Sequence, residues 1–307
     1  MNMNIKVFVV VVTYNGKKWI GKCLKSLTNS LIPVEIIVVD NGSVDGTQQI
    51  IKQFPCVKFI RLEKNIGFGR ANNKAIQMAL DNNADYIFLL NQDAWIEENT
   101  IKELIRIAKE SADYGVISPL HLNGSYTALD LNFSKHLVPE TCPSFYSDLY
   151  FGKSKDIYEI KFVNAAAWLI SRGCLKKVGL FEPLFFLYGE DNNYLQRVAY
   201  HGFKMGVTPR CTICHDREER EGKMNDSGVK IWERTESLII LLNILKSYKN
   251  CIAFFIKERT YLFLKKLYQR KFSETKYQIT EIFFLIKNLR ELKRLRESYK
   301  RNESITQ

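Results

Sequence analysis

The stretch VFVVVVTYNGKKWIGKCLKSL, residues 7–27, decides the fold class of this chain. It begins with an unbroken apolar run, Val7–Val12, which is typical of a strand buried on both faces. After a polar turn, apolar residues recur at the spacing of one helical face: Trp19, Ile20, Cys23, Leu24 and Leu27. A buried strand that leads directly into an amphipathic helix predicts an α/β domain with a parallel sheet.

The same pattern of strand and then helix repeats through the first 120 residues. Further buried-strand patterns are VEIIVVDNGS at 34–43, VKFIRL at 57–62 and YIFLLNQD at 86–93. Ligands of such sheets bind beyond the carboxyl ends of the strands. We therefore expect five polar residues at one rim of the sheet: Tyr14, Asn15, Asp40, Asn41 and Asp93.

The pattern changes in the second part of the chain. Residues 119–160 lose the periodicity and contain three prolines, which indicates a long functional loop region. A strand is predicted at 161–171, and two further strands at 203–207 and 212–216. After a polar loop at 217–228, the remaining sequence has helical spacing of apolar and basic residues.

Composition limits the classes of protein that this chain can belong to. The 307 residues are enough for one large α/β domain with an appendage. The seven cysteines are scattered and odd in number, which favours a reducing cytosol over a disulfide framework. The first apolar run is too short for a secretory signal, and no stretch approaches the length of a membrane span. We therefore expect a cytoplasmic protein.

The positive charge is concentrated at the carboxyl end. The formal net charge is +12, and residues 246–307 hold 16 Lys and Arg against 6 Asp and Glu. This excess predicts an anionic partner for the tail and not for the main domain. One interpretation is peripheral attachment to the anionic inner face of the cell membrane. The other is a solvated basic face on helices that pack against the domain.

Six motifs occur together in one order along residues 5–220. They are VVVVTYNGKKWIGKCLKSL, EIIVVDNGSVDGT, NIGFGRANNKAI, IFLLNQD, GLFEPLFFLYGEDNNYLQRVAYHGF and HD. In this order and spacing the chain resembles family 2 glycosyltransferases, in their non-processive, rhamnosyltransferase-like branch. The resemblance implies a GT-A fold: a Rossmann-like, mostly parallel central sheet flanked by helices, here with a C-terminal helical extension.

The resemblance also implies a division of the chain. We expect a catalytic domain at 1–228, with a nucleotide-sugar half at about 1–118 and an acceptor half at about 119–228. The basic amphipathic helical extension then occupies 229–307.

Several residues match the nucleotide-sugar site of the family. Asp40 ends a buried strand, where a carboxylate can accept hydrogen bonds from a base or a ribose, and the alternative is a helix N-cap. In the family the matching Asp contacts the nucleotide base. The resemblance implies the same site for Thr13, Tyr14, Asn15, Asn65, Gly67, Arg70, Asn91 and Gln92.

The end of the fourth predicted strand is the candidate metal site. Mg²⁺ or Mn²⁺ needs few protein ligands when a diphosphate supplies the other oxygens. Asp93 matches the last Asp of the family's DXD motif, while Asn91 stands at its first acidic position and is a poorer ion ligand. The alternative is that Asp93 caps the following helix.

The sequence GED at 189–191 is the candidate catalytic site. Sugar transfer with inversion requires a carboxylate that takes the proton of the acceptor hydroxyl. Asp191 matches the family's base, and Glu190 would orient it or the acceptor. The alternative is ordinary acidity in the first turn of a helix. Glu182 keeps only part of the family's Phe-Asp-Glu pattern, and the absence of the processive Q-x-x-R-W signature favours addition of one sugar.

The stretch CTICHD at 211–216 allows more than one interpretation. Read literally, Cys211-x-x-Cys214-His215 is a haem-attachment or zinc pattern. A structural zinc usually needs four ligands, and no second Cys and His pair is present. In the family a His or Asp at this place reaches the metal or the diphosphate, so His215 is assigned to the donor site. A purely structural role for His215 is the alternative.

Together these features predict an inverting, metal-assisted glycosyltransferase that uses Mg²⁺ or Mn²⁺. Its donor would be a nucleotide diphosphate-sugar and its acceptor a saccharide or lipid-linked saccharide, in bacterial surface polysaccharide biosynthesis. One alternative is a nucleotidyltransferase, but TYNGKK offers only one glycine for a phosphate loop. The other is a non-enzymatic scaffold that binds nucleic acid through its basic tail. No nucleic-acid partner is expected, because such a role requires no carboxylates at strand ends.

Overall fold

The computed structural model describes residues 5–217 and 226–301. Most of the polar loop predicted at 217–228 lies outside the described residues. The nine strands are β1 (Val7–Thr13), β2 (Glu35–Asp40), β3 (Val57–Arg61), β4 (Tyr86–Asn91), β5 (Ala94–Ile96), β6 (Tyr114–Leu122), β7 (Tyr158–Glu159), β8 (Ala167–Ser171) and β9 (Lys204–His215).

Helices cover both faces of the sheet and form the carboxyl end of the chain. In the catalytic part they are α1 (Ile20–Thr28), α2 (Thr47–Ile51), α3 (Phe68–Asp81), α4 (Thr100–Glu110), α5 (Leu131–Ser134), α6 (Phe145–Tyr150), α7 (Arg172–Val178) and α8 (Glu190–Tyr200). The C-terminal helices are α9 (Asp226–Leu241), α10 (Tyr248–Tyr268) and α11 (Phe272–Arg301). The boundary expected after residue 228 falls inside α9.

All strands belong to one mixed sheet in the order β3-β2-β1-β4-β8-β6-β9-β5, with β7 paired to β9. The first four strands in this order are parallel, as their buried apolar patterns predict. Strand β8 runs antiparallel to both β4 and β6, and β5 runs antiparallel to β9. The carboxyl ends of β1, β2 and β4 therefore meet at one edge, with the end of β9 and the start of β5 nearby.

The structure corrects three details of the predicted elements. The strands predicted at 203–207 and 212–216 are one strand, β9, whose pairing with β6 shifts register between Pro119 and Leu120. Strand β4 ends at Asn91, and the three residues of β5 form a separate strand. Helix α2 has Gly46 at its N-cap position, not Asp40, and the Asp45 carboxylate accepts from the Thr47 amide at 3.0 Å.

Three apolar clusters hold these layers together. One lies between the sheet and the helices α3, α7 and α8, and a second lies on the face covered by α1 and α4. The third is formed by α9, α10 and α11, and Phe185 from the loop before α8 is part of it. Within the described ranges, no helix has both the length and the apolar character needed to cross a membrane.

Candidate functional site

An open cleft of about 1090 Å³ lies at the edge where the strand ends meet. Its walls come from both parts of the sheet, from α5 and from the loop before α8. The lining includes these residues of the predicted site: Tyr14, Asn15, Asn65, Gly67, Asn91, Gln92, Asp93, Glu190, Asp191 and His215. The winding of the chain thus brings Asp93 and Asp191, 98 positions apart in sequence, to one cavity.

Three of the predicted nucleotide-site residues do not line this cleft. Asp40 is fully buried, and its carboxylate accepts from the Ser43 amide at 3.1 Å and from the Gln48 side chain at 2.6 Å. Thr13 is also buried, and Arg70 donates to the carbonyl of Pro183 at 3.0 Å. Asp40 does not line the cleft in this structure, and its assignment to the nucleotide site stays a prediction. Successive side chains along a strand point to opposite faces. Here Asn41, the residue after Asp40, lines the cleft.

The turn after β1 is held by Gln92. The amide of Tyr14 donates to the Gln92 side-chain oxygen at 2.9 Å, and the Thr13 hydroxyl donates to the same oxygen at 2.5 Å. Asn15 has a positive φ of 48°, and its amide donates to the Ser43 hydroxyl at 2.9 Å. These bonds leave the Tyr14 side chain 45% exposed at the cleft, where an aromatic ring can stack on a base.

Gly67 brings a distant loop to the same side of the cleft. Its φ is +95°, and a Cβ at this position would lie 2.5 Å from the carbonyl oxygen of Phe186. That carbonyl accepts from the Phe68 amide at 3.0 Å. Only glycine allows this backbone contact, which joins the NIGFGR segment to residues 181–189, hereafter the aromatic loop.

The short strand β5 places Asp93 beside His215. Its pairing with β9 sets Ala94 opposite His215, so that Asp93 Oδ2 lies 3.5 Å from His215 Nε2. Both side chains are 1% exposed. The buried side-chain oxygen of Asn91, also at the cleft, has no hydrogen-bond partner. A carboxylate, an imidazole and an unsatisfied amide oxygen thus point to one region.

These donors fit a divalent cation only in part. In the part of the chain that the structure describes, no group of three or more His, Cys, Asp or Glu side chains could hold an ion by itself. A Mg²⁺ or Mn²⁺ ion in a diphosphate site takes most of its oxygens from the substrate and one or two ligands from the protein. Asp93 and His215 therefore fit a metal that arrives with its diphosphate.

Two charged residues beside His215 were missed by the sequence analysis. Asp130 Oδ2 lies 3.9 Å from His215 Nδ1 and 3.9 Å from Arg217 Nε. The Asp130 carboxylate also accepts from the Phe133 amide at 2.7 Å, which caps α5. An Asp three residues before Phe133 in an aperiodic stretch is a capping signal, but nothing in the sequence places it at the cleft. Arg217 adds a positive charge to the lining of the cleft.

Glu190 and Asp191 form the first turn of α8, directly after Gly189 with its φ of +85°. Glu190 is 5% exposed, and its Oε2 has no hydrogen-bond partner among the residues that the structure describes. Burial, and then the neighbouring Asp191 charge, raise the pKa of Glu190 to about 8. Burial also raises the pKa of Asp191, against the lowering effect of the Asn192 and Ala165 amides. First-turn acids that only complement a helix dipole are usually solvated, so this burial favours a functional pair.

The cysteines of CTICHD are buried apart from the site. Cys211 packs in the cluster under α1 and α4, and burial raises the pKa of its thiol well above the usual range. Cys214 donates to the Asn123 carbonyl at 3.0 Å. His215 alone lines the cleft. Both thiols are therefore small buried core residues.

Comparison with known sequences matches the family profile "Glycosyl transferase family 2" to residues 8–179. Glycosyltransferase GlyA of Streptococcus pneumoniae is 29% identical over 209 residues, which are 65% of this chain and 29% of GlyA. The N-acetylglucosaminyl-diphospho-decaprenol L-rhamnosyltransferase of Mycobacterium tuberculosis is 24% identical over 70% of this chain and 77% of its own length. The chain thus spans less than a third of GlyA.

Solved structures show the same architecture. S. aureus TarS 1–349 in complex with UDP-GlcNAc superposes with a TM-score of 0.59 at 19% identity, covering 99% of this chain and 93% of TarS 1–349. The mannosyltransferase PcManGT of Pyrobaculum calidifontis, in complex with GDP-Man and Mn²⁺, has a TM-score of 0.53 at 17% identity and covers 94% and 88%. The fold is GT-A, and the chain belongs to glycosyl transferase family 2.

Proposed function

We propose that this chain is an inverting glycosyltransferase that moves one sugar from a nucleotide diphosphate-sugar to a saccharide or lipid-linked saccharide. The observation that carries the proposal is the shared cleft, in which Asp93 and Asp191 line one cavity at the strand ends. UDP-GlcNAc in TarS and GDP-Man in PcManGT support a nucleotide-sugar as the donor.

The nucleotide would lie between the turn after β1 and the NIGFGR segment. Tyr14 offers a ring for the base, and Asn65 and Asn91 offer amide groups for the base and ribose. Asp40 would support the nucleotide site without contacting the ligand. Its carboxylate accepts from the Ser43 amide, and the Ser43 hydroxyl accepts from the amide of Asn15. Thr13 and Gln92 would shape the same turn, and Arg70 would hold the aromatic loop.

The diphosphate would lie against Asp93 and His215, with Arg217 beside it. Asp93 and His215 are the residues that would hold Mg²⁺ or Mn²⁺. A bound metal offsets the negative charge that develops on the departing diphosphate. Arg217 supplies a fixed positive charge for the same purpose. Asp130 and His215 keep Arg217 in place through their close contacts.

Asp191 would act as the base for the acceptor. Its carboxylate takes the proton of the acceptor hydroxyl while that oxygen forms a bond to the anomeric carbon. The bond from this carbon to the diphosphate oxygen breaks, and its electron pair leaves with the nucleoside diphosphate. Attack on the face opposite the leaving group inverts the configuration at the anomeric carbon. The raised pKa of Asp191 makes it a stronger proton acceptor than an exposed Asp.

The acceptor would enter from the side of α5. This side of the cleft is lined by polar groups able to hydrogen-bond a saccharide: Asn123, Asp130, Asn132, Asn164 and Tyr188. The N-acetylglucosaminyl-diphospho-decaprenol rhamnosyltransferase of M. tuberculosis supports a lipid-linked saccharide as the acceptor, in surface polysaccharide biosynthesis. We retain 119–228 as the acceptor half and 1–118 as the donor half.

Two substitutions test the assigned roles. Asp191→Asn removes the base and Asp93→Ala removes a metal ligand, and each should lower the rate of sugar transfer by about 100-fold or more. The matched control is Asp113→Asn, because Asp113 lies at the surface in an ion pair with Lys204. The assay measures release of nucleoside diphosphate, and NMR of the product reads the anomeric configuration. Full activity of Asp191→Asn, a retained configuration, or release of pyrophosphate would each contradict the proposal.

The outer side of α11 supports a second partner, an anionic membrane surface. Phe272, Ile279, Phe283 and Ile286 are exposed, and their spacing places them on one side of the helix. The basic residues Lys276, Lys287 and Arg290 are exposed along the same side. Aromatic and aliphatic side chains that enter the interface beside cations are typical of helices that lie on membranes. We propose that this stripe holds the enzyme at the inner face of the membrane, near a lipid-linked acceptor.

Vesicle binding tests the membrane surface. The wild-type protein should co-sediment with vesicles that contain anionic lipid, and less so at high salt, because each basic residue near the surface contributes about 1 kcal/mol. Phe283→Glu should weaken this binding strongly. Ser298→Glu, which adds the same charge outside the stripe, should weaken it less. Equal binding of the two variants would exclude the stripe as the contact surface, and preferential binding to an oligonucleotide would favour the nucleic-acid scaffold.

A further inference from the structure

Helix α11 reaches the loop that carries the proposed base. Tyr299, near the end of α11, donates from its hydroxyl to Glu182 Oε2 at 2.5 Å. Tyr299 is 6% exposed and Glu182 is 4% exposed, so this hydrogen bond is shielded from water. Glu182 lies at the beginning of the aromatic loop, eight positions before Glu190. A residue of the C-terminal helices thus contacts the loop inside the protein.

The Glu182 carboxylate organises the first turn of the loop as well. Its Oε1 accepts from the Leu184 amide at 3.0 Å, and its main-chain carbonyl accepts from the Phe185 amide at 3.3 Å. One carboxylate therefore joins two parts of the molecule: Oε1 holds the loop, and Oε2 is held by Tyr299.

Tyr299 also contacts the far end of α8. Its main-chain carbonyl lies 2.8 Å from His201 Nε2, and the Arg197 guanidinium lies 5.0 Å from the centre of its ring. Arg197 in turn donates to Asn193, on the same helix, at 3.0 Å. Tyr299 thus touches the segment 182–201 both before and after Glu190 and Asp191.

Further contacts with α9 hold the end of the loop. Phe185 is 1% exposed, in the cluster formed by α9, α10 and α11. A Cβ on Gly189 would lie 2.5 Å from the Thr235 side chain, and the rings of Tyr188 and Trp232 meet edge to face at 5.9 Å. On its other side the loop contacts α3 through the Phe186 carbonyl. The loop is therefore clamped between the donor half and the C-terminal helices.

The conformation of the loop requires such a clamp. Tyr188 has a φ of +67°, which costs a non-glycine residue free energy and persists only where the surroundings hold it. Gly189, at +85°, follows directly and leads into the first turn of α8. The direction of the Asp191 side chain therefore depends on a backbone that is not stable by itself.

We propose that Tyr299 is a positioning residue for Asp191 and Glu190, and that the C-terminal helices are part of the catalytic apparatus. The inference rests on the proposed function of the cleft. It adds that the buried side of α11 holds the aromatic loop. This role is independent of the membrane contact proposed for the outer side of α11.

The substitution Tyr299→Phe tests this role, with Tyr248→Phe as the matched control. Each variant removes one hydrogen bond that a tyrosine hydroxyl makes to or from α11. Tyr248, in α10, donates to the Leu289 carbonyl of α11 at 2.6 Å, and it does not contact the aromatic loop. Tyr299→Phe should lower kcat for sugar transfer by about 10-fold or more, because small misplacement of a catalytic group is costly. The KM for the donor should change less than about 3-fold, because the donor half keeps its contacts. Tyr248→Phe should leave both constants near the wild-type values.

Two further measurements separate positioning from stability. Hydrogen exchange of the amides at 184–192 should be faster in Tyr299→Phe than in Tyr248→Phe, even if neither is active. Glu182→Gln should retain most of the activity, because the Tyr299 hydroxyl can accept a bond from the new amide while the oxygen still accepts from Leu184.

The outcomes distinguish this inference from the proposed function. Equal kcat and equal exchange in the two Tyr→Phe variants would overturn the positioning role. Loss of kcat together with faster exchange at 184–192 in Tyr299→Phe alone would support it. If the wild-type protein released no nucleoside diphosphate with any donor, the proposed function would fail. The exchange measurement would still decide whether Tyr299 holds the loop.

Discussion

The environment of Glu190 opposes ionisation of its carboxyl group. Its carboxylate is buried, one oxygen has no hydrogen-bond partner, and Asp191 lies next to it in the chain. Burying a charge without a partner destabilises the folded state, and the protein responds by holding the proton more tightly. Asp93 and His215 differ, because each is buried beside the other. The side of the cleft with Asp93 and His215 therefore favours a cation, whereas the side with Glu190 favours a protonated carboxyl group.

The raised pKa of Glu190 predicts how stability changes with pH. The folded protein holds this proton up to about pH 8, whereas an unfolded Glu releases it near 4.5, so Glu190 lowers stability progressively between these values. Glu190→Gln removes the effect. The Tm difference between Glu190→Gln and wild type should therefore grow as pH rises from 4.5 to 8 and correspond to about 4 kcal/mol in the free energy of unfolding at the upper end.

Asp113→Asn is the control for this prediction. The Lys204 ion pair lowers the pKa of Asp113, so this surface carboxylate contributes stability above its unfolded pKa that is lost as pH falls through the folded value. Its removal should lower Tm at neutral pH, by a small amount because the pair is exposed. A Tm difference for Glu190→Gln that stays constant with pH would show that the pKa of Glu190 is not raised in the folded protein.

At the scale of elements, two short segments place the chemistry. The three residues of β5 pair with β9 and bring Asp93 to His215. The aromatic loop crosses from the C-terminal helices to α3 and sets the direction of α8. Neither segment forms a long helix or strand, and each is held by partners distant in sequence. The long strands β1, β2 and β4 supply the frame on which these segments lie.

Substitution of Gly67 should disturb the contact between the aromatic loop and α3. Gly67→Ala places a Cβ 2.5 Å from the Phe186 carbonyl oxygen at a φ of +95°, so the backbone must move. We expect a loss of about 1–3 kcal/mol in the free energy of unfolding, together with weaker donor binding. Chemical denaturation and the KM for the donor measure the two effects.

Gly173→Ala is the matched control, because Gly173 lies in α7 and a Cβ there would have no neighbour within 4 Å. This change should be neutral or should stabilise by about 0.5–1 kcal/mol, since alanine is the better helix former. If both glycine substitutions had the same effect, the close approach at Gly67 would not be important for the loop.

At the scale of the whole molecule, the charge and the apolar core divide the chain differently. The excess of positive charge lies in residues 246–307, which suggests a separate tail. The third apolar cluster, however, includes Phe185 of the catalytic part, and Tyr299 bonds to Glu182. The expected division at residue 228 therefore describes the charge better than the packing. We propose that the C-terminal helices and the catalytic part unfold together.

Truncation of Phe185 tests this coupling. Phe185→Ala should leave a cavity in the third cluster and lower the free energy of unfolding by about 3–5 kcal/mol. Sugar transfer should fall with it, since the aromatic loop loses its anchor. The control Phe254→Ala changes an exposed ring of α10 and should cost less than about 0.5 kcal/mol. Separate unfolding transitions of the catalytic part and the C-terminal helices, with only one affected by Phe185→Ala, would contradict the coupling.

Much of the frame was predictable because local patterns dictate it. Strands β1, β2 and β4 are buried on both faces and therefore appear as continuous apolar runs. Because parallel strands end at one edge, Tyr14, Asn41 and Asp93 could be placed at the same rim, and all three line the cleft. The GED and NQD segments were assigned by resemblance to the family, and the structure brings both to the cleft.

The tertiary structure alone decided the rest, because distant partners determine it. Arg70, for example, donates to the Pro183 carbonyl, 113 positions further along the chain. Asp130 and Arg217 reach His215 through packing that no local pattern encodes. The chain's own order of apolar and polar residues determined an α/β sheet and the edge where its ligand binds. Which side chains line the cleft there depended on contacts between distant parts of the chain. So did the bond from the basic tail to the aromatic loop, which joins Tyr299 to Glu182 across 117 positions and exists only in the folded state.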